Sequence, residues 1–266
     1  MEEIKLLREK TGAGMLDCKK AMDEAGGDLE KAVEILRKKG IAKAAKRNDR
    51  ETNQGIIKLA TSSDNKLGYM VELNSETDFV ARNDSFQKFA DEILALIIAH
   101  NPADREALLS LTMTDGNDVK TGLDTLSGVI GEKLDIKRLA ILKSAGTVSA
   151  YLHAGGTIGV LVALDQSDRA DLARDVAMQV AASNPKYISP EEVDAVEIAG
   201  EQEVYREQLL REGKPAEMIE KILPGKLNKY YEDICLVKQE YIKDDKLKIQ
   251  DILQGAKVEA FVRFSL

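Results

Sequence analysis

The sequence predicts an α+β fold, and three observations carry that prediction. Two segments, 55–102 and 148–185, repeat one pattern: Gly68, Val71 and Leu73 lead to Asn101-Pro102, and Gly159, Val162 and Leu164 keep the same offsets and lead to Asn184-Pro185. Counted back from each Asn-Pro pair, Phe89, Ile93 and Ile97 match Leu172, Val176 and Val180, the i, i+4, i+8 stripe of one helix face. Each copy therefore reads as two short strands, a tight connection and a helix that covers the sheet. The third observation is a set of short helical stripes in residues 1–40, ahead of both copies.

Taken in order, Ile4 and Leu7 stripe a first helix that stops at Thr11-Gly12-Ala13-Gly14, and residues 15–25 make a second. Asp28 caps a third, whose apolar residues are Leu29, Ala32, Val33, Ile35 and Leu36 and which Gly40 is expected to end. About forty residues give a marginal core, so this module is expected to fold alone only weakly. The polar stretch 43–54 reads as a linker whose first residues are compatible with helix. Between the repeats, Val119, Leu123, Leu126 and Ile130 mark a helix with Gly131 near its end, and 136–142 reads as a strand. Ser189-Pro190-Glu191 is expected to open a further helix with Pro in its first turn. Gly213-Lys214-Pro215 stops that helix and starts a partner, giving a charged hairpin with a thin seam of Val193, Val196, Val204, Met218, Ile219 and Ile222. Residues 247–254 read as a short helix closed by Gly255, and 258–264 alternate as a strand. The expected division is 1–50 for the N-terminal module and start of the linker, 51–142 for one core half, and 143–266 for the other, interrupted by the hairpin at 190–228.

The two copies differ between second strand and helix. Leu73 to Phe89 is sixteen positions and Leu164 to Leu172 is eight, so the first copy holds eight extra residues. That insertion carries Thr77, Asp78, Phe79 and Val80, which puts a large aromatic in a polar connection that the second copy closes without. Loops carry function more often than stability. The competing reading has Phe79 folded back as a lid on its own helix.

Composition narrows the function. The net charge of −8 is unevenly placed, +3 in residues 1–50 and −11 in the rest. An acidic chain lacks the basic face that phosphate-backbone binding needs, so a protein partner is expected rather than nucleic acid. No apolar run reaches the roughly 18 to 20 residues of a membrane span, and Met1-Glu2-Glu3 is unlike a secretory signal, so the expected location is cytoplasmic, away from membranes. Cys18 and Cys235 form no Cys-x-x-Cys pair, which suits a reducing compartment. His100 and His153 are the only histidines, and neither His-Glu-x-x-His, Gly-x-Ser-x-Gly nor a phosphate-binding Gly-x-x-x-x-Gly-Lys-Ser/Thr occurs. No catalytic residue and no metal site are expected. An enzyme built on Asp, Glu and Lys alone would leave no spacing signature.

Two motifs are specific. Lys5-Leu6-Leu7-Arg8-Glu9-Lys10-Thr11-Gly12-Ala13-Gly14-Met15-Leu16-Asp17-Cys18-Lys19-Lys20-Ala21-Met22 resembles the N-terminal signature of the elongation factor Ts family, and Thr77-Asp78-Phe79-Val80-Ala81-Arg82-Asn83 resembles its second. The repeat extends the resemblance over nearly the whole chain. It implies a three-helix N-terminal domain like the ubiquitin-associated fold, two core halves formed by the repeats, and an antiparallel coiled-coil insertion at the hairpin. The implied function is guanine-nucleotide exchange on elongation factor Tu, releasing GDP so that GTP rebinds during the elongation phase of protein synthesis. The factor needs no cofactor of its own, since it acts on the GDP and Mg²⁺ site of its partner.

The resemblance assigns a wedge to Asp78 and Phe79, with Thr77 and Val80 shaping the turn. It places basic contacts at Lys19 and Arg47, an apolar contact at Ile130 and Gly131, and a contact toward the phosphate loop at His153. Ile242 matches an apolar residue of a C-terminal contact, although Lys243 stands where the family often has another. The additional C-terminal helical module of some members has no counterpart in the sequence. Self-association is left unassigned. From the residues alone, His153 also reads as a satisfied structural histidine, and the helical module as part of an adaptor for a peptide or ubiquitin-like surface, without exchange activity.

Overall fold

The computed structural model describes residues 2–266, the side chain of Ala154 excepted. Three helices open it, α1 (Glu2–Thr11), α2 (Met15–Glu24) and α3 (Leu29–Ala45). They close around Leu7, Cys18, Ala21, Met22 and Ala32. The Asp28 carboxylate caps α3 by accepting from the N–H groups of Glu30 and Lys31 at 3.0 and 3.1 Å. Gly40 does not end this helix, contrary to the expectation from sequence. It lies buried inside α3, which runs on to Ala45.

The first half follows as β1 (Gln54–Thr61), β2 (Leu67–Ser75), the single turn α4 (Asp78–Ala81), α5 (Asp84–His100), α6 (Arg105–Leu109), α7 (Val119–Ile130) and β3 (Leu134–Lys143). The second half is β4 (Thr147–Leu152), β5 (Ile158–Leu164) and α8 (Ala170–Ser183), then the arm α9 (Ala195–Arg211) and α10 (Ala216–Ile234). It ends with β6 (Glu240–Tyr241), β7 (Asp244–Lys248), α11 (Ile249–Ile252) and β8 (Val258–Ser265). Mixed helix and sheet of this kind is the α+β class.

Strands β1-β2-β3 form one antiparallel sheet and β4-β5-β8 another. Period-two alternation sends Val71 and Leu73 to an outer face covered by Phe86, Phe89, Ile93 and Ile97 of α5. It sends Val162 and Leu164 to the opposite outer face, under Val176 and Val180 of α8. The inner faces meet at Ile57, Met70, Leu161 and Phe264, giving layers in the order helix, sheet, sheet, helix. The matched glycines explain the close approach. A Cβ on Gly68 would lie 2.7 Å from Val148, and one on Gly159 would lie 2.6 Å from Ile57, so each repeat leaves a gap that the other fills. The register shifts at equivalent places, Glu72/Leu73 and Ala163/Leu164. Helices α5 and α8 both end on a left-handed Asn, Asn101 at φ 48° and Asn184 at φ 46°.

The arm departs from the sequence reading. Pro190–Glu192 forms only a 3-10 turn, and α9 starts after Asp194, whose side chain accepts from the N–H of Val196 at 2.7 Å. The seam is Leu209, Ile219 and Leu223, flanked by Tyr205 and Ile222, whereas Val196, Val204 and Met218 are exposed. Near the C-terminus, Leu247 belongs to β7, and only the residues after Lys248 are helical. The strand runs through Leu247 to Lys248, where β7 pairs with Glu240 of β6.

Candidate functional site

The eight-residue insertion folds as a brace with one aromatic left outside. Thr77 is extended, α4 makes one turn, and Asn83 restarts the helix by accepting from the N–H groups of Ser85 and Phe86 at 2.9 and 3.4 Å. One turn of helix gives Phe79 and Val80 opposite fates. Val80 is 8% exposed and joins the core beneath β2 and α5, while Phe79 is 80% exposed. The lid reading of Phe79 is therefore wrong, because the neighbouring Val80 already fills that place. Asp78 beside it is held by Arg82 at 2.9 Å, an i, i+4 pair on the solvent side.

The C-terminal end of α7 anchors this turn. Ile130 packs on the first-half core, and Gly131 closes the helix at φ 93°. The chain then doubles back so that Glu132 accepts from the Thr77 hydroxyl at 2.7 Å and from the Thr77 N–H at 3.0 Å. Arg47 reaches the same helix end and donates to the Ser127 carbonyl at 3.1 Å. Arg50 pairs with Glu76 at 3.0 Å. The Lys133 N–H bonded to Glu76, and then Arg50, hold that carboxyl below the usual carboxylate range.

On the other side, the β4–β5 connection passes over β1. A cleft of ≈ 540 Å³ runs between Phe79, Asp78 and Ile56 on one wall and Gly155 and Thr157 on the other. His153 enters that connection, exposed, with Nδ1 at 3.1 Å from the Tyr151 hydroxyl. The fold thus gathers Thr77, Asp78, Phe79, Val80, Arg47, Ile130, Gly131 and the segment of His153 around one edge of the molecule. Lys19 is exposed on α2, and Ile242, 45% exposed, sits in the β6–β7 turn with its N–H donating to Gln179 at 2.9 Å. Among the described residues, no hydrogen bond joins either one to the Phe79 turn. Lys243 is occupied by Asp175 at 2.6 Å.

Sequence reasoning missed Glu76, Glu132 and Lys133. Charged residues are abundant here, and their partners lie 55 to 57 positions away, so no local spacing marks them. The one available signal was Gly131, which turns the chain back at a helix end. Among the described residues there is no group of three or more His, Cys, Asp or Glu placed to hold a metal, and no helix long and apolar enough to cross a membrane.

The structure defines a two-halved α+β protein in which one half carries an inserted, exposed aromatic turn. The family model described as Elongation factor TS matches residues 76–266. An elongation factor Ts of Prosthecochloris aestuarii is 45% identical over 280 aligned positions, covering 100% of this chain and 97% of the relative. Those of Chlorobaculum tepidum and Chloroherpeton thalassium are 44% and 42% identical, with coverage of this chain of 100% and 99% and of the relatives of 97% and 96%. The chain belongs to the elongation factor Ts family.

Proposed function

We infer that this protein is a guanine-nucleotide exchange factor that binds elongation factor Tu carrying GDP and promotes release of the nucleotide. Family membership supports the reading, and the observation that carries it to particular residues is Phe79, a large apolar side chain 80% exposed on a turn held at both ends. A translational GTPase holds its nucleotide through a phosphate loop, Mg²⁺ and the switch segments those contacts order. An exchange factor performs no covalent chemistry. It binds the nucleotide-free conformation better than the nucleotide-bound one, and linkage obliges it to weaken the nucleotide by the same factor.

Thr77, Asp78, Phe79 and Val80 form the wedge in this proposal, with Phe79 entering the GTPase near its Mg²⁺ site and Asp78 beside it. Burying one Phe supplies about 1.5 to 3 kcal/mol, or about one to two powers of ten. Other contacts must share the task, and Lys19, Arg47, Ile130, Gly131, His153 and Ile242 are the positions proposed for them. The factor carries no cofactor, works in the cytoplasm, and has residues 1–50 as a ubiquitin-associated-like domain next to core halves 51–142 and 143–266.

The test is release of labelled GDP from elongation factor Tu, with native protein and with Phe79→Ala. Native protein should accelerate release. The variant should be slower by about one to two powers of ten, with a melting temperature close to native, since an exposed ring leaves no cavity. Normal release by Phe79→Ala together with a large fall in melting temperature would refute the wedge.

A further inference from the structure

The segment entering the Phe79 turn and the segment leaving α7 are laced together in both directions. Glu132 takes the N–H and the hydroxyl of Thr77, at 3.0 and 2.7 Å. Glu76 takes the N–H of Lys133 at 2.6 Å. Each segment therefore offers a carboxylate to the other's backbone. The Lys133 ammonium extends the clasp by donating to the carbonyls of Asn48 and Arg50, both at 2.7 Å, and the Ser127 hydroxyl fixes the Glu132 carbonyl at 2.6 Å.

Thr77 occupies the residue before α4, where a Thr hydroxyl ordinarily accepts from its own helix. Here it makes no such cap and turns to Glu132 instead. Four residues of helix cannot hold themselves in water. Val80 anchors the turn inward, and Thr77 at its entry is held by the Ser75 hydroxyl, which donates to the Thr77 carbonyl at 2.8 Å, and by the two bonds to Glu132 that reach in from the segment after α7.

We propose that Glu132 is a positioning residue for exchange, fixing the turn that presents Asp78 and Phe79 and acting through Thr77. The proposal rests on the exchange reading above. A turn already held in place loses little conformational freedom on docking, while a loose one must be ordered at that moment. Removing a charged acceptor of two hydrogen bonds should lower the maximal rate of GDP release on the order of tenfold. The half-saturating concentration should move less, because the remaining contacts still dock the factor.

The experiment compares native protein, Glu132→Ala, Glu132→Gln, Phe79→Ala and the Glu132→Ala/Phe79→Ala double variant at saturating factor, using labelled GDP on elongation factor Tu. Glu132→Gln keeps a carbonyl oxygen for the Thr77 N–H and should lose less than Glu132→Ala. In the Phe79→Ala background Glu132→Ala should cost less than in the native one, because one of the two side chains it positions is gone. An equal loss in both backgrounds, or a native rate for Glu132→Ala, overturns the proposal. Amide hydrogen exchange of the free protein reads the brace without the GTPase. Exchange over residues 77–83 should quicken in Glu132→Ala while α5 stays protected, and unchanged exchange there also overturns it. A native protein that releases no GDP would count against the exchange reading alone, and the amide measurement would still judge the brace.

Discussion

Gly40 and Gly128 meet where α3 crosses α7, yet adding a methyl group to each has opposite consequences. A Cβ on Gly128 would lie 2.3 Å from the Gly40 Cα, against backbone that no rotamer change can move. A Cβ on Gly40 would meet nothing nearer than the Thr125 carbonyl at 3.6 Å, an ordinary contact. Gly128→Ala should therefore destabilise by about 1 to 3 kcal/mol, the usual cost of overpacking. Gly40→Ala should be neutral or gain up to about 1 kcal/mol from helix propensity. Chemical denaturation of the two variants checks this, and equal effects would mean that the helices do not cross as described.

At the scale of elements, one carboxylate gathers three donors where the arm meets the body. Glu197 near the start of α9 accepts from the Lys186 ammonium at 2.6 Å and from the hydroxyls of Tyr187 and Tyr230, both at 2.7 Å. Lys186, then Tyr230 and Tyr187, lower its pKa from 4.5 to about 2. A carboxyl depressed by folding contributes stability that is complete above its unfolded pKa and fades as pH falls toward the folded one. Glu197→Gln lacks that contribution, so its melting temperature should trail the native one at neutral pH and converge on it between pH 4.5 and about 2. Parallel curves through that window would show that the knot does not hold the arm.

Elements with local causes were legible before the structure: the Asp28 cap, the paired strands of each repeat, the helix that runs up to each Asn-Pro pair and the insertion in the first copy. What escaped the sequence has non-local causes. Gly40 reads as a stop because glycine often is one, and only the distant Gly128 shows that it serves a helix crossing. The arm offered more apolar residues than its seam uses, and no periodicity says that Leu209 faces Ile219 while Val196 faces water. The exposed half of the candidate site, Asp78 and Phe79, was legible as an insertion. Its support by Glu132 was not, because a carboxylate that chooses two backbone-proximal donors 55 residues away leaves no pattern in its neighbourhood.

Over the whole molecule, the two repeats pack inner face to inner face and lock at Glu72. This fully buried carboxylate accepts from Arg138 Nε at 2.6 Å, and the Arg138 guanidinium lies 4.2 Å from the centre of the Phe264 ring in β8 of the other sheet. The Phe79 turn extends from the first half and the His153 segment from the second, so the two walls of the cleft belong to halves joined through these inner faces. Such a platform can act on a GTPase only by favouring one of its states, which makes the central claim thermodynamic. The direct measurement is the equilibrium affinity of elongation factor Tu for GDP, without this protein and with it at saturation, paired with the affinity of this protein for elongation factor Tu with and without GDP. Linkage predicts that both affinities weaken, and by the same factor. A GDP affinity unchanged by saturating protein would contradict the account.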